Sequence, residues 1–308
     1  MDTLFEVHFE IERQCALSCR HCSSANMRTC NTRGYTPHDM AQMLGMLDGY
    51  TVIVSLTGGE PLLCEELKSI LTIVQSSHPS IKIGLFTTGI VRENQHLAPI
   101  SVAMANDLSE KGLSFCYVSV YSHLAQIHDK MTHHPGSFSM TREAICRLLQ
   151  AKVDVRFNTV VYQENQNSLD EILGYAKELS ISEVRLLKLV RHGDATTNWN
   201  QLMPTLNENG FITLFTRLRK NFGNVIRLSA SSIPSVTPCR PVEGAQGCQA
   251  GSRILYVSYD GFIYPCACTK NSKNDVICHI SDLGKLKQYL DHISNHVRFT
   301  CLGDTEER

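Results

Sequence analysis

The segment Cys15-Ala-Leu-Ser-Cys19-Arg-His-Cys22 decides how the rest of this chain is interpreted. Its cysteines are spaced CxxxCxxC, which is three thiols within one short loop. Thiolates are the usual ligands of iron–sulfur clusters, and a closed [4Fe–4S] cluster takes four of them. Three thiolates at this spacing therefore indicate a cluster with one iron left open to bind a small molecule.

Two other interpretations of this segment are a structural zinc site and three unrelated buried cysteines. Zinc sites favour cysteine pairs about two to four residues apart, completed by a second pair or by histidines. Nothing nearby completes such a site, since Cys30 follows at no recognised spacing. The cluster is the better interpretation.

The composition excludes several classes of protein. The chain has 308 residues and a formal net charge of −1, which favours no nucleic acid or anionic membrane partner. No apolar run approaches the ~20 residues of a membrane helix, and the N-terminus lacks the features of a signal peptide. We expect a cytoplasmic protein. The 13 cysteines are odd in number and irregular in spacing, which favours metal ligation over disulfides.

Strand-like and helix-like stretches alternate through the first 190 residues. This alternation predicts an α/β fold with parallel strands and right-handed crossovers, as a partial (β/α)6 TIM-like barrel over residues 1–192. The predicted strands are 4–11, 51–57, 81–87, 113–121, 153–162 and 183–190, and the predicted helices are 38–47, 65–76, 97–111, 138–150 and 168–179. Functional residues of such barrels lie at the carboxyl ends of the strands.

The regular alternation stops after residue 192. Residues 193–228 are predicted to connect two parts of the chain through a helix at 207–222 and a strand at 225–228. Residues 229–308 form a small Cys-rich C-terminal module in this interpretation. Because its first part is poor in large apolar side chains, the module needs a staple such as a metal cluster.

A second motif, Gly58-Gly59-Glu60-Pro61, follows the second predicted strand. Together with CxxxCxxC, it makes the chain resemble the radical S-adenosylmethionine (SAM) superfamily. Glycines allow a backbone to approach a ligand closely. The resemblance implies that Cys15, Cys19 and Cys22 hold a [4Fe–4S] cluster whose open iron chelates the amino and carboxylate groups of SAM. It also implies that Gly58, Gly59 and Glu60 receive the SAM ammonium group.

Two strand positions extend the resemblance. Ser119 stands at the serine of the family's S-x-D pattern, with Tyr121 in place of the acid, and Asn158 matches a polar position near SAM. The alternative is that Ser119 and Asn158 are ordinary polar strand residues. The stretch from His128-Asp129 to Gly136-Ser137-Phe138 resembles the family's HD-x-x-R…GSF segment. Thr132 replaces its arginine, and Lys130 is the nearest substitute.

The C-terminal part carries the second cysteine signature. Cys248, Gly261 and Cys266 fit the C-x9-15-G-x4-C pattern of SPASM and Twitch modules, which bind auxiliary [4Fe–4S] clusters. The resemblance implies one auxiliary cluster, held by Cys239, Cys248, Cys266 and Cys301. Cys268 and Cys278 are rivals for the last position. Reduced core cysteines, or a three-thiolate cluster with an open iron, are the alternatives.

The resemblance also implies a reaction. SAM is cleaved reductively, with an electron from a donor such as flavodoxin or ferredoxin, to a 5′-deoxyadenosyl radical that abstracts a hydrogen atom from substrate. The outcome is oxidation, epimerisation or a cross-link; the sequence assigns neither a catalytic residue nor a hydrogen-atom donor.

The substrate class is left between two candidates. Since the first predicted strand begins at Leu4, we expect no N-terminal peptide-binding domain, and the single auxiliary cluster agrees with a small-molecule enzyme. Both favour a small metabolite such as an antibiotic sugar or aminocyclitol, with a ribosomally made peptide as the alternative. An iron–sulfur electron carrier or redox sensor is a third hypothesis, but it does not account for Gly58–Pro61 or Ser119.

Overall fold

The computed structural model describes residues 4–25, 32–94, 96–231, 249–270 and 272–293. The strands of these residues, in chain order, are β1 Leu4–Glu12, β2 Thr51–Gly58, β3 Lys82–Thr87, β4 Ile90–Glu93, β5 His96–Pro99, β6 Leu113–Ser119, β7 Asp154–Val161, β8 Glu183–Lys188, β9 Arg227–Ser231, β10 Ile254–Val257, β11 Phe262–Tyr264 and β12 Cys278–His279. The α-helices are α1 Pro37–Gly45, α2 Leu67–Ser77, α3 Val102–Glu110, α4 Ala125–Thr132, α5 Ser137–Gln150, α6 Leu169–Glu178, α7 Asp194–Thr197, α8 Trp199–Leu202, α9 Glu208–Phe222 and α10 Leu283–Asp291.

One large, mostly parallel sheet organises the fold. Its strand order is β12-β11-β10-β1-β2-β3-β6-β7-β8-β9, and every pair from β10 to β9 is parallel. The strands β11 and β12 are antiparallel additions beside β10. The α/β class and the parallel sheet predicted from the alternation are therefore confirmed.

The sheet is larger than the alternation predicted. Among the described residues, β9 and β10 join the six predicted parallel strands, one at each side. The strand predicted at 225–228 is β9, shifted to Arg227–Ser231 because its partners are residues 183–187 of β8. At the other side β10 pairs with β1, so the described C-terminal residues extend the same sheet.

One predicted helix begins later than expected. The helix predicted from residue 97 is α3, which begins at Val102, because β5 pairs with β4 in a separate two-stranded sheet. The Ser101 hydroxyl caps α3 by accepting a hydrogen bond from the Met104 N–H at 3.1 Å. The helix α4 was not predicted.

The two faces of the large sheet differ in polarity. Along β1, the residues Phe5, Val7, Phe9 and Ile11 are 0–1% exposed and belong to the main apolar core with side chains of the helices. The alternate residues of β1 are polar, because successive side chains of a strand point to opposite faces. No helix in the described part of the chain has both the length and the apolar character needed to cross a bilayer.

Candidate functional site

A cavity of about 330 Å³ lies at the carboxyl ends of the parallel strands. Its walls come from the loop after β1, the turn after β2, the ends of β6, β7 and β8, and the segment after β11. This is the edge of the sheet at which the barrel interpretation placed the chemistry.

The three N-terminal thiols line this cavity together. Cys15 and Cys22 are half-buried and Cys19 is buried. The loop turns tightly, since the Cys22 N–H donates to the Cys19 carbonyl at 3.0 Å. No set of three or more cysteine, histidine or acidic side chains in the described ranges converges on the position of one metal ion.

A loop that sequence reasoning missed holds Cys22 from the other side. The Asp194 N–H, at the start of α7, donates to the Cys22 carbonyl at 2.9 Å. Gly193 has a φ of +55°, and a Cβ there would lie 2.2 Å from the same carbonyl oxygen. Only glycine allows this approach, and the Arg191-His192-Gly193 break in the helix–strand pattern was the available signal.

The glycine turn after β2 is packed against the backbone that leads into Cys15. The Gly59 N–H donates to the Glu12 carbonyl and the Glu60 N–H to the Gln14 carbonyl, both at 2.7 Å. Gly58 has a φ of +140°, and a Cβ on it would lie 1.9 Å from the Glu12 carbonyl oxygen. The two motifs recognised in the sequence thus form one structural unit, in which Gly58 and Gly59 face the cavity.

The Glu60 side chain does not line the cavity, which differs from its expected contact with an ammonium group. Its buried carboxylate accepts hydrogen bonds from the Thr87 hydroxyl at 2.5 Å, from the Thr88 N–H at 2.7 Å and from the Thr88 hydroxyl at 2.6 Å. Burial raises the pKa of this carboxyl, although the hydrogen bonds from Thr87 and Thr88 oppose the shift. The carboxylate therefore ties the turn after β2 to the turn after β3.

Ser119 and Asn158 lie side by side at the wall of the cavity. They are register partners across β6 and β7, and both line the cavity. The Asn158 Oδ1 atom is buried and has no hydrogen-bond partner among the described residues, which is costly for a polar atom. An acceptor in this state suits a bound ligand that carries a donor.

Tyr121 occupies the place of the family's acid and also faces the cavity. Burial raises its pKa well above the ordinary value, and the thiols Cys15, Cys19 and Cys22 add to the shift, whereas a hydrogen bond with Ser119 opposes it. Tyr121 therefore stays neutral, and its ring packs edge-on against His21 at a centroid distance of 4.9 Å.

The end of α4 and the start of α5 are held together by internal hydrogen bonds. The Asp129 carboxylate accepts hydrogen bonds from the Gly136 and Phe138 N–H groups at 2.7 Å and from the Ser137 hydroxyl at 2.8 Å. Thr132 is buried against Ser137. Lys130 is largely exposed and pairs with Glu164 at 2.8 Å. It does not line the cavity, so it does not replace the missing arginine there.

The segment after β11 closes one side of the cavity. Cys268 lines the cavity, whereas Cys266 does not. The Lys270 ammonium donates to the Ser24 hydroxyl at 2.5 Å and so joins this segment to the cysteine loop. The predicted ligands Cys239, Cys248 and Cys301 lie outside the described residues, and Cys278 is buried in β12.

Polar side chains also line the deepest part of the cavity, and sequence reasoning missed them. His8 and Arg185 face the cavity from β1 and β8, beside the ring of Phe86. The signal was available, because both side chains sit at the polar positions of strands whose alternate residues are apolar.

Comparisons with known proteins identify the family and the fold. The Radical SAM superfamily matches residues 9–176. An AdoMet-dependent heme synthase of Nitratidesulfovibrio vulgaris is 22% identical over 278 residues, covering 84% of this chain and 72% of the relative. A PqqA peptide cyclase of Rhizobium meliloti is 22% identical over 197 residues, covering 64% of this chain and 50% of the relative.

Solved structures show the same fold. Streptococcus suis SuiB bound to S-adenosylmethionine superposes with a TM-score of 0.73 at 13% identity, covering 94% of this chain and 66% of that chain. SuiB bound to its precursor peptide SuiA gives a TM-score of 0.74 at 14% identity, covering 97% and 68%. This chain therefore spans about two thirds of the length of SuiB and half of the length of the peptide cyclase.

Proposed function

The chain belongs to the radical SAM superfamily, and from that premise we propose that it modifies an unactivated carbon of a peptide substrate. The observation that carries the radical chemistry is that one cavity is lined by Cys15, Cys19 and Cys22, by Gly58 and Gly59, and by Asn158, whose Oδ1 atom lacks a partner among the described residues. An electron carrier needs no such ligand site. When bound, a [4Fe–4S] cluster and SAM supply a 5′-deoxyadenosyl radical, which abstracts hydrogen from carbon.

The residues of the cavity fit these two groups. We assign cluster binding to Cys15, Cys19 and Cys22, whose thiols share the cavity and stand at the end of β1. The backbone of Gly58 and Gly59 accepts the SAM amino group, because the absent side chains leave that backbone open to a ligand.

Two further roles follow from the cavity wall. Ser119 and the Asn158 amide bind other polar groups of SAM, which would give the Asn158 Oδ1 atom the partner that it lacks. Tyr121, neutral and buried beside the thiols, excludes water from the cluster. Glu60 is a positioning residue, since its hydrogen bonds with Thr87 and Thr88 hold the turn that contains Gly58 and Gly59.

The larger architecture is part of the proposal. We interpret the sheet as a partial barrel over residues 1–192, with residues 193–228 connecting it to a SPASM or Twitch-like module at 229–308. One auxiliary [4Fe–4S] cluster is assigned to Cys239, Cys248, Cys266 and Cys301. Cys266 lies off the main cavity while Cys268 lines it, and this difference supports Cys266 as the ligand. A flavodoxin or ferredoxin is the proposed electron donor.

The peptide substrate is supported by the neighbours. SuiB is solved with a precursor peptide, and a peptide cyclase is among the relatives. The second candidate is the small metabolite that the sequence favoured. The heme synthase supports this candidate, because the match covers 72% of that relative. Oxidation, epimerisation and cross-linking all remain possible products of either substrate.

The radical activity is tested with anaerobically reconstituted protein, SAM and dithionite. We expect 5′-deoxyadenosine and methionine in equal amounts. The matched control replaces Cys15, Cys19 and Cys22 together by Ala, and it should form neither product. Full iron content in the wild type without 5′-deoxyadenosine would contradict the proposed function.

The substrate class is tested with the same assay and an extract of the source cells, separated by molecular size. We expect the peptide fraction to accelerate 5′-deoxyadenosine formation, and prior digestion with a non-specific protease to remove the acceleration. Acceleration by the small-molecule fraction alone would replace the peptide by a metabolite.

A further inference from the structure

Arg185 is a buried cation at the bottom of the cavity. Its side chain is only 6% exposed and lines the cavity from β8. The guanidinium carbon lies 4.0 Å from the centroid of the Tyr117 ring and 5.5 Å from that of Phe86. Tyr117 precedes Ser119 by two residues on the same face of β6. Arg185 is the register partner of Asn158, and its guanidinium extends from that row back over the Tyr117 ring, away from the carboxyl ends of the strands.

One edge of this guanidinium has no hydrogen-bond acceptor among the residues that the structure describes. The Nε and Nη2 atoms of Arg185 are buried, and their N–H groups donate to no acceptor within the described residues. The N–H groups of these two atoms point the same way, and this edge binds both oxygens of a carboxylate at once. A buried charged donor without an acceptor is unfavourable, so the site is complete only when an acceptor occupies it.

The neighbouring acids do not complete the edge. The Glu6 Oε1 atom is 3.9 Å from Arg185 Nη2, which is too long for a hydrogen bond. That oxygen instead contacts His8 Nε2 at 2.9 Å and accepts from the Ser55 hydroxyl at 3.2 Å. Glu183 accepts from the Tyr117 hydroxyl at 3.1 Å, so its carboxylate is also engaged.

The guanidinium stays charged in this place. Burial alone would lower the pKa of Arg185, but Tyr117, Glu6 and Glu183 raise it above the ordinary value. An acceptor at the open edge would therefore meet a full positive charge in a water-poor site, where charge-assisted hydrogen bonds are strong.

We propose that Arg185 anchors a carboxylate of the substrate at the bottom of the cavity. This inference rests on the proposed function and narrows its substrate to an acid, either a small carboxylic acid or a peptide that presents an acidic side chain or a C-terminal carboxylate. A neutral sugar or aminocyclitol leaves the open edge unfilled. SAM also carries a carboxylate, but the polar groups of SAM are assigned to Ser119 and Asn158 in the proposed function.

The experiment measures ligand binding to the reconstituted, SAM-loaded holoenzyme by calorimetry. The probes are N-acetylglycine and N-acetylglycinamide, which differ only in carboxylate against amide. The acid should bind about tenfold more tightly than the amide, as expected for a bidentate charged pair. Arg185→Gln should remove this preference. Arg185→Lys should retain part of it, because lysine keeps the positive charge but lacks the two parallel N–H donors of the guanidinium.

Arg156→Gln is the matched control. Arg156 also contacts the Tyr117 hydroxyl, at 3.3 Å, but it does not line the cavity. The Arg156→Gln protein should still bind N-acetylglycine more tightly than N-acetylglycinamide, even when its free energy of unfolding is lower than that of the wild type. Equal binding of acid and amide by the wild type would overturn the proposal, and this measurement stands even when Arg185→Gln does not fold.

Two parallel readouts separate the possible failures. Loss of SAM affinity by more than about tenfold in Arg185→Gln would assign the guanidinium to SAM and overturn the substrate assignment. Formation of 5′-deoxyadenosine is measured on the same wild-type preparation. Its absence refutes the proposed function, whereas its presence with equal acid and amide binding refutes only the role of Arg185.

Discussion

The two cysteine-bearing regions of this chain are held in different ways. The N-terminal loop, residues 13–22, receives backbone hydrogen bonds from the turn after β2 and from the loop after β8, and donates one to the end of α4. The C-terminal segment, residues 265–270, touches the cavity through Cys268 and is tied to the loop by Lys270 and Ser24. The first region is held by backbone contacts with the segments that follow β2 and β8 and with α4. The second depends, in our proposal, on a cluster of its own.

The largest expected effect is the loss of SAM cleavage when a cysteine of the first region is replaced. Replacing Cys22 with Ala removes one of three thiolates, so SAM cleavage should fall below detection while the auxiliary cluster survives. Formation of 5′-deoxyadenosine and iron content are measured together. Cys146→Ala is the control, since Cys146 lies half-buried on α5 away from the cavity. Retained cleavage in Cys22→Ala would show that another group completes the cluster.

This first region was also the most predictable from sequence. The CxxxCxxC and GGEP motifs each follow a strand that its residue pattern predicts. Because the strands were predicted to be parallel, both motifs were expected at the same edge of the sheet. The predicted parallel strands and the shared cavity of Cys15, Cys19 and Cys22 were found. Whether these cysteines bind a cluster stays a prediction.

Other parts of the site were marked in the sequence by little more than a pattern break or a polar strand position, because their roles depend on contacts between distant segments. Gly193 matters only because its loop reaches Cys22, and Arg185 only because β8 brings it beside Glu6 and Phe86. The Glu60 side chain was expected at the ligand, but Thr87 and Thr88 engage it after folding. Short strands such as β10 carry too little pattern to be recognised before their partners are known.

The next prediction concerns the iron content of the second region. The proposed two clusters give about eight irons per chain, and Cys266→Ala should leave about four. SAM cleavage should continue at a reduced rate, while product formation falls much further because metal binding there is coupled to folding. Cys268→Ala should keep the iron. The reverse pattern, with iron lost only in Cys268→Ala, would exchange the two assignments.

A smaller effect concerns the turn that joins both motifs. Glu60→Gln places a buried amide donor among groups that already donate, which should cost about 1–3 kcal/mol of folding free energy. The KM for SAM should rise, since the turn also positions Gly58 and Gly59. Glu65→Gln, on an exposed neighbour, is the control and should change neither quantity.

The pH dependence of Glu60 has a defined sign. Its folded-state pKa is raised above 4.5 by burial, so the native state holds the proton more tightly than the unfolded state. Wild-type stability should therefore decline as the pH rises from 4.5 through the raised pKa, and this component should be absent in Glu60→Gln. Urea unfolding across this range measures it. An identical pH profile for both proteins would contradict the assigned direction.

The smallest expected effect concerns α4, which supports the cysteine loop indirectly. The Arg20 N–H donates to the Met131 carbonyl of α4 at 2.9 Å, and Asp129 on the same helix fixes the start of α5. Asp129→Asn weakens charge-assisted hydrogen bonds to Gly136 and Phe138, which should cost about 1–2 kcal/mol at neutral pH. SAM cleavage should change little, because the Met131 carbonyl remains in place.

The pH dependence of this loss runs opposite to that of Glu60. Burial raises the pKa of Asp129, but hydrogen bonds from Phe138, Gly136 and Ser137 outweigh it and lower the pKa below 3.8. The stabilisation is thus present above 3.8 and is lost as the pH falls through the lowered pKa, so the difference between wild type and Asp129→Asn should shrink there. Asp291→Asn, at the exposed end of α10, is the control and should leave the free energy of unfolding at neutral pH unchanged. A gap that stays constant on acidification would mean that the charge of the Asp129 carboxylate does not contribute to stability, and the proposed direction would be wrong.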